Sequence, residues 1–199
     1  MAENATFRTW HDVCDRYKAP LAPPGLHLTQ ALANSTARTQ EDVDPLDDPS
    51  DALAWITTLA DEWAVVHGGP TPRLTLTAAD IAAVRRLRST VHDLLLRKPE
   101  ATLRTPVEIS VGNGQVSLLP KGSGGTWLTS AIGAELLLAQ QNDTLRRLKL
   151  CREPLCRTCF YDQSNNNSKQ WHDTSTCGVR QRMRDYRQRR QQAGQQDQV

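Results

Sequence analysis

Hydrophobic positions recur at helical spacing in one short and three long stretches of the chain, and at alternate positions in one stretch between them. The short stretch is "FRTWHDVCDRYKAP". Phe7, Trp10, Val13, Cys14 and Tyr17 share a face, and Pro20 stops it. Cys14 lies on that stripe and reads as a core residue. "APLAPPGLHL" breaks the pattern, and "LTQALANSTAR" is too short to assign. "EDVDPLDDPS" reads as a solvated acidic loop. It lacks the alternating ligands and central glycine of a calcium loop.

The first long helix is expected from Ser50 as cap. Leu53, Ile56, Leu59, Trp63 and Val66 form its stripe, and Gly68 and Gly69 end it. The second opens on a capping box of Thr77 and Asp80, with Ile81, Val84, Leu87, Val91, Leu94 and Leu95 facing a core. His67 and His92 lie on these helices and read as structural. Val107, Ile109 and Val111 then alternate, "GNG" turns the chain, and Val116 and Leu118 alternate again. This predicts a β-hairpin near 107–119. "PKGSGGTW" reads as a flexible loop, because its lysine precedes the glycines and so does not match a phosphate-binding loop. The third long helix covers Ile132, Leu136, Leu137, Leu145 and Leu148 and runs into Cys151.

Charge changes this picture at one end. The net charge is +2, yet residues 146–190 hold twelve Lys+Arg against four Asp+Glu, so the remainder carries −6. A basic end on an acidic body suits a polyanionic partner. Arginine outnumbers lysine 19 to 5, a bias of GC-rich bacterial genomes. No stretch approaches the roughly 18 apolar residues of a membrane span, and "MAENATFRTWHDV" lacks a signal-peptide pattern. The expectation is a cytoplasmic chain with no membrane partner, whose cysteines are thiols or metal ligands.

Four of the five cysteines fall within 27 residues, as C-x4-C-x2-C, twelve residues, then H-x4-C. Two close donor pairs joined by a loop suit a tetrahedral zinc site. Cys151, Cys156, Cys159, His172 and Cys177 are the candidate donors. Ser175 or Thr176 is placed to cap a helix at Cys177, and a helix N-terminus favours a thiolate there. That helix carries Val179, Met183 and Tyr186 as an apolar stripe to pack on the finger. Arg180, Arg184 and Arg187 form a ridge beside it, and Arg182, Arg189 and Arg190 widen the charge. With Lys169 these seven are the candidate nucleic-acid contacts. "QQAGQQDQV" is expected to be a disordered tail, residues 191–199. Nothing pairs a nucleophile with a base, so no enzyme is expected.

The stretch "CREPLCRTCFYDQSNNNSKQWHDTSTCGVRQRMRDYRQR" resembles the CGNR zinc finger. Phe160, Asp162, Ser164, Asn166, Ser168, Trp171, Cys177, Gly178 and Arg180 occupy that family's places. The resemblance implies Cys151, Cys156, His172 and Cys177 as ligands of one structural zinc ion, with Cys159 as the alternative. His172 stands where the family has a cysteine, and zinc accepts either. Val179 replaces the asparagine of "CGNR", so what that asparagine does is missing. "ALANSTAR" and "IAAVRRLRSTVHDLL" resemble parts of the ABATE domain of stress-induced transcription regulators. The implied architecture is mainly α with a small hairpin. A helical ABATE-like body at 1–149 would be followed at 150–190 by a treble-clef-like finger ending in a basic helix. The implied role is a DNA-binding transcription regulator whose body senses an unknown effector or dimerises; a single finger with one basic helix covers little DNA, which makes a homodimer the expectation of that reading. The alternative is a structural zinc module whose basic helix binds RNA or an acidic protein.

Overall fold

The computed structural model describes residues 9–38, 42–68 and 70–196. Phe7, Gly69 and the last three residues of the expected tail lie outside the described residues. The elements run α1 (Trp10–Asp15), α2 (His27–Asn34), α3 (Pro49–His67), α4 (Ala78–Leu95), β1 (Val107–Gly112), β2 (Gln115–Pro120), α5 (Gly124–Gln141), β3 (Leu148–Leu150), β4 (Cys159–Tyr161) and α6 (Val179–Gln196). The chain is mainly helical with two small antiparallel hairpins, β1–β2 and β3–β4, as the periodicity implies for the first of them.

The stretch with the least legible pattern supplies the centre. Every residue from Leu28 to Asn34 in α2 is buried, packed by α1, α3, α4, α5 and β4. It is only eight residues long, and its polar side chains Thr29, Gln30 and Asn34 are buried along with its apolar ones, so its pattern does not announce a central helix. Its first turn also lacks its own cap, because the N-cap position is Leu26. Glu135 of α5 supplies one from across the core. Its carboxylate accepts from the Leu28 and Thr29 amides at 3.3 and 2.9 Å and from the Thr29 hydroxyl at 2.7 Å.

Burial pushes the Glu135 carboxyl up to about 7, against the pull of these hydrogen bonds. The folded chain therefore holds this proton more tightly than the unfolded one. The resulting stability is complete below about pH 4.5 and is lost as pH rises to about 7, a loss on the order of 3 kcal/mol. Glu135→Gln should remove that part of the pH dependence. Urea unfolding of both proteins at pH 4.5 and 7.5 measures the difference between the two slopes.

The long helices start and stop largely where the sequence places them. The cap of α3 is Asp48 rather than Ser50. Its carboxylate accepts from the Ser50 and Asp51 amides at 2.8 and 3.2 Å, and Pro49 at the first helical position has no amide to satisfy. Gly68 ends α3 at φ 67°, a left-handed conformation that suits glycine. Trp55, Ile56, Leu59 and Trp63 are buried, whereas Val66 is exposed. The Thr77–Asp80 capping box opens α4. His67 stacks on Trp63, and His92 Nε2 donates to the Ala33 carbonyl at 2.8 Å, both structural as read.

Three expectations are corrected. The acidic loop is not fully solvated: Leu46 is buried, and Asp44 pairs with Arg88 at 2.7 Å with both side chains largely covered. The glycine loop is partly helical, since α5 begins at Gly124. A Cβ there would lie 2.7 Å from the Thr75 carbonyl oxygen and 2.9 Å from Asp80 Oδ1. Glycine is needed because α5 starts against the cap of α4. Finally, the third helix stops at Gln141, and Asp143 reverses the chain at φ 57°. Leu145 falls in a 3-10 turn and Leu148 in β3, which leads into Cys151.

In the first hairpin Asn113 and Gly114 both take positive φ, the turn that matches strand twist. Val111 opposes Val116 and Ile109 opposes Leu118. Ile109, Val111 and Val116 are exposed, so the alternating face reaches beyond the core.

Candidate metal centre

The β3–β4 hairpin presents two of the donors. Leu150 pairs with Cys159, and the Cys151 amide donates to the Thr158 carbonyl at 2.8 Å. The connection is a tight loop in which the Cys156 amide donates to the Glu153 carbonyl at 2.9 Å. Cys151 and Cys156 lie in this loop. The long return, 162–170, is organised by Asp162, which is buried and pairs with Lys149 at 2.7 Å. It also accepts from the Ser164 and Lys169 amides at 2.9 and 2.8 Å. Burial alone would raise the Asp162 carboxyl, but Lys149 and these donors hold it well below the usual range.

His172 and Cys177 come from the start of the last helix. A wide five-residue turn, Thr174–Gly178, precedes α6 and is capped by Asp173, which accepts from the Ser175 amide at 2.7 Å. Asp173 takes the role the sequence suggests for Ser175 or Thr176, because a carboxylate accepts more strongly than a hydroxyl. Gly178 follows with a packing reason of its own. A Cβ would sit 3.5 Å from the Trp171 ring and 3.2 Å from Thr174.

The ligand atoms of Cys151, Cys156, His172 and Cys177 all lie within 4.8 Å of one another. A tetrahedral zinc ion with Zn–S of about 2.3 Å and Zn–N of about 2.05 Å holds S and N roughly 3.6 Å apart. His172 Nδ1 lies 3.4 Å from Cys156 Sγ and 3.7 Å from Cys177 Sγ. The Cys156 thiol is pushed well down by Cys151 and then by His172 and Thr158, although burial opposes this. Cys151, the other half of this pair, is pushed up by Cys156 and then by burial. Three thiols and an imidazole share little space and favour a thiolate, a donor set that fits one zinc ion. With four protein ligands no position stays open for water or substrate, so the role is structural.

Cys159, the alternative ligand, is not in this cluster. It is fully buried beneath α2, and burial holds its thiol well above the ordinary value. Its backbone is gripped by a side chain of the body. The Asn34 amide nitrogen donates to the Cys159 carbonyl at 2.8 Å, and the Cys159 amide donates to Asn34 Oδ1 at 2.8 Å. Arg38 reaches further. It donates to Asn34 Oδ1 at 3.1 Å and to the Thr158 hydroxyl oxygen at 2.6 Å, which lies 3.0 Å from Cys156 Sγ. A Cys156 thiolate carries no proton, so the Thr158 hydroxyl donates to its sulfur, a contact that supports the ligand from behind. Asn34 and Arg38 lie in the "ALANSTAR" stretch, whose resemblance gives them no part in the finger; that part, like the role of Thr158, emerges only from the fold.

The candidate nucleic-acid contacts divide. Arg180, Arg182, Arg187, Arg189 and Arg190 are exposed on α6, and Lys169 is exposed in the return loop. Arg184 instead turns inward and forms an ion pair with Glu153, whose side chain is fully buried. That pairing holds the Glu153 carboxyl below its usual range. The stripe expected to pack on the finger does not: Val179, Met183 and Tyr186 are 40–51% exposed. Arg184 anchors the helix in place of the stripe, because a buried carboxylate demands a cation more strongly than three apolar side chains demand cover. The helix also continues to Gln196, through part of the stretch read as a disordered tail.

These features define a Cys3His structural zinc centre of the zinc-finger class, built on a hairpin loop and a helix start. The family model described as the CGNR zinc finger matches residues 147–190. A comparison with curated proteins finds none that matches. No described helix is long and apolar enough to cross a membrane.

Proposed function

We propose that this chain is a bacterial DNA-binding transcription regulator, in which the zinc centre positions α6 for phosphate contacts and the body is an ABATE-like sensing or dimerising domain. The observation that carries this reading is the exposure of α6. From Val179 to Gln192 only Gln181 and Arg184 are partly covered, and five arginines are exposed on a helix that starts beside a metal ligand. Guanidinium groups in that setting suit phosphates and guanine edges. A single helix covers little DNA, so the reading includes a dimer, which sedimentation would detect.

Salt dependence is the test. Five phosphate contacts give a slope of log affinity against log salt of about −4.5 on duplex DNA, and Arg180→Ala with Arg187→Ala should flatten it by about two. Arg184→Ala should leave the slope near its original value and lower Tm, because it strands buried Glu153. A slope unchanged in the double variant would remove the phosphate contacts from this helix. The alternative, an RNA or acidic protein partner, draws support from the exposed Val179, Met183 and Tyr186 beside the arginines. It would show as saturable binding of that partner with no preference for duplex DNA.

A further inference from the structure

We propose that the groove between the body and the finger binds a soluble anionic amphiphile, an apolar chain joined to a head bearing several phosphate charges. The groove, open along one side, offers about 1410 Å³ between the end of α4, the 97–105 segment, α5 and the finger. Gly133 of α5 lets that segment close one wall, since a Cβ there would lie 2.5 Å from Thr105 Cγ2. Leu95, Leu103, Leu136 and Leu137 line it from the body, and Leu148 and Leu150 from β3. Leu137 and the neighbouring Leu96 are 48% and 43% exposed.

The charge on its rim is predominantly positive. Arg97 and Arg104 come from the body, and Arg152 and Lys169 from the finger. None of the four has a carboxylate partner among the described residues, whereas the other rim cations, Arg146 and Lys149, are paired with Asp143 and Asp162. Asp143, already so paired, is the acidic residue of the lining.

Leucines below and free cations above define the occupant. Nucleic acid would use the rim and leave the leucines wet, since it binds through phosphates and base edges. An alkyl chain would cover them, at about 25 cal/mol per Å² buried. The volume exceeds the roughly 300–1,000 Å³ of ordinary small-ligand pockets, so a bare fatty acid underfills it and a bulky polyanionic head suits the space. Cations from both body and finger would meet one head, so a bound ligand would bridge the two. This inference does not depend on DNA binding.

The test is calorimetry on the full zinc-loaded chain with lauroyl-coenzyme A below its critical micelle concentration, with laurate and coenzyme A as separate halves. The expected result is saturable binding of the whole molecule, at least about tenfold tighter than either half. Arg97→Ala with Arg152→Ala should weaken it by about tenfold or more, since each charged hydrogen bond contributes on that scale. Leu137→Glu, at an exposed position with little effect on folding, should weaken it similarly while zinc content and circular dichroism stay unchanged. Absence of binding, halves as tight as the whole, or indifference to both variants would overturn the proposal. So would co-sedimentation with phosphatidylglycerol vesicles without binding of the soluble probe, which would assign the groove to a membrane surface.

Discussion

Cys156→Ser should reduce bound zinc from one ion per chain to nearly none, read by native mass spectrometry. Cys156 is the donor in which the most interactions converge. Its sulfur faces His172 Nδ1 at 3.4 Å and the Thr158 hydroxyl at 3.0 Å. A serine oxygen is a poor zinc ligand and cannot be ionised at neutral pH. Structural zinc contributes on the order of 10–16 kcal/mol in small finger modules, so loss of one ligand is the largest single effect expected in this molecule. The damage should be confined. Leu148, Leu150, Cys159 and Phe160 belong to the core that the helices share, so the β3–β4 hairpin stays anchored. The return loop, the turn at Thr174–Gly178 and α6 should lose their positions. His172→Ala should also weaken zinc, and Cys159→Ser should keep one ion per chain. Zinc retained without His172 but lost without Cys159 would reverse the ligand set.

The second large effect is expected at Asn34, far from the finger in sequence. Its side chain meets the Cys159 backbone with a donor and an acceptor, as a neighbouring strand would. Asn34→Ala would leave the buried Cys159 N–H without a partner, leave its C=O only the longer bond from Gln30 Nε2 at 3.3 Å, and release one contact of Arg38. Stranded groups of this kind cost about 1–3 kcal/mol each. A loss of about 3 kcal/mol corresponds to a Tm lower by roughly 6–12 °C in a chain of this size. Asn34→Asp keeps the shape and the acceptor but loses the donor to the Cys159 carbonyl, so it should also be destabilising. An Asp variant as stable as wild type would show that packing, not the hydrogen-bond pair, holds the strand.

Several parts were legible from residues alone because the forces behind them are local. The α4 capping box lies within four residues, the hairpin turn within two, and the donor cluster within one 27-residue window. Spacing within such windows limits which groups can meet, so a zinc site and its helix were readable before any fold was known. The same reasoning placed Cys14 in the core, where it is fully buried.

Contacts across the chain are not legible, and they decide which donors and which cations the finger presents. Cys159 and His172 both suited the ligand spacing. Pairing of β4 with β3 beneath α2 put Cys159 in the core and left His172 at the ion. Arg184 looked like its neighbours on the arginine ridge until buried Glu153, 31 positions away, claimed it. Central α2 is hidden because it is short and buries its polar side chains as well as its apolar ones, and its cap, Glu135, lies 106 positions from Thr29. Local spacing determines which groups are able to meet; the tertiary fold decides which do, because burial makes every charge and backbone polar group find a partner wherever the chain returns.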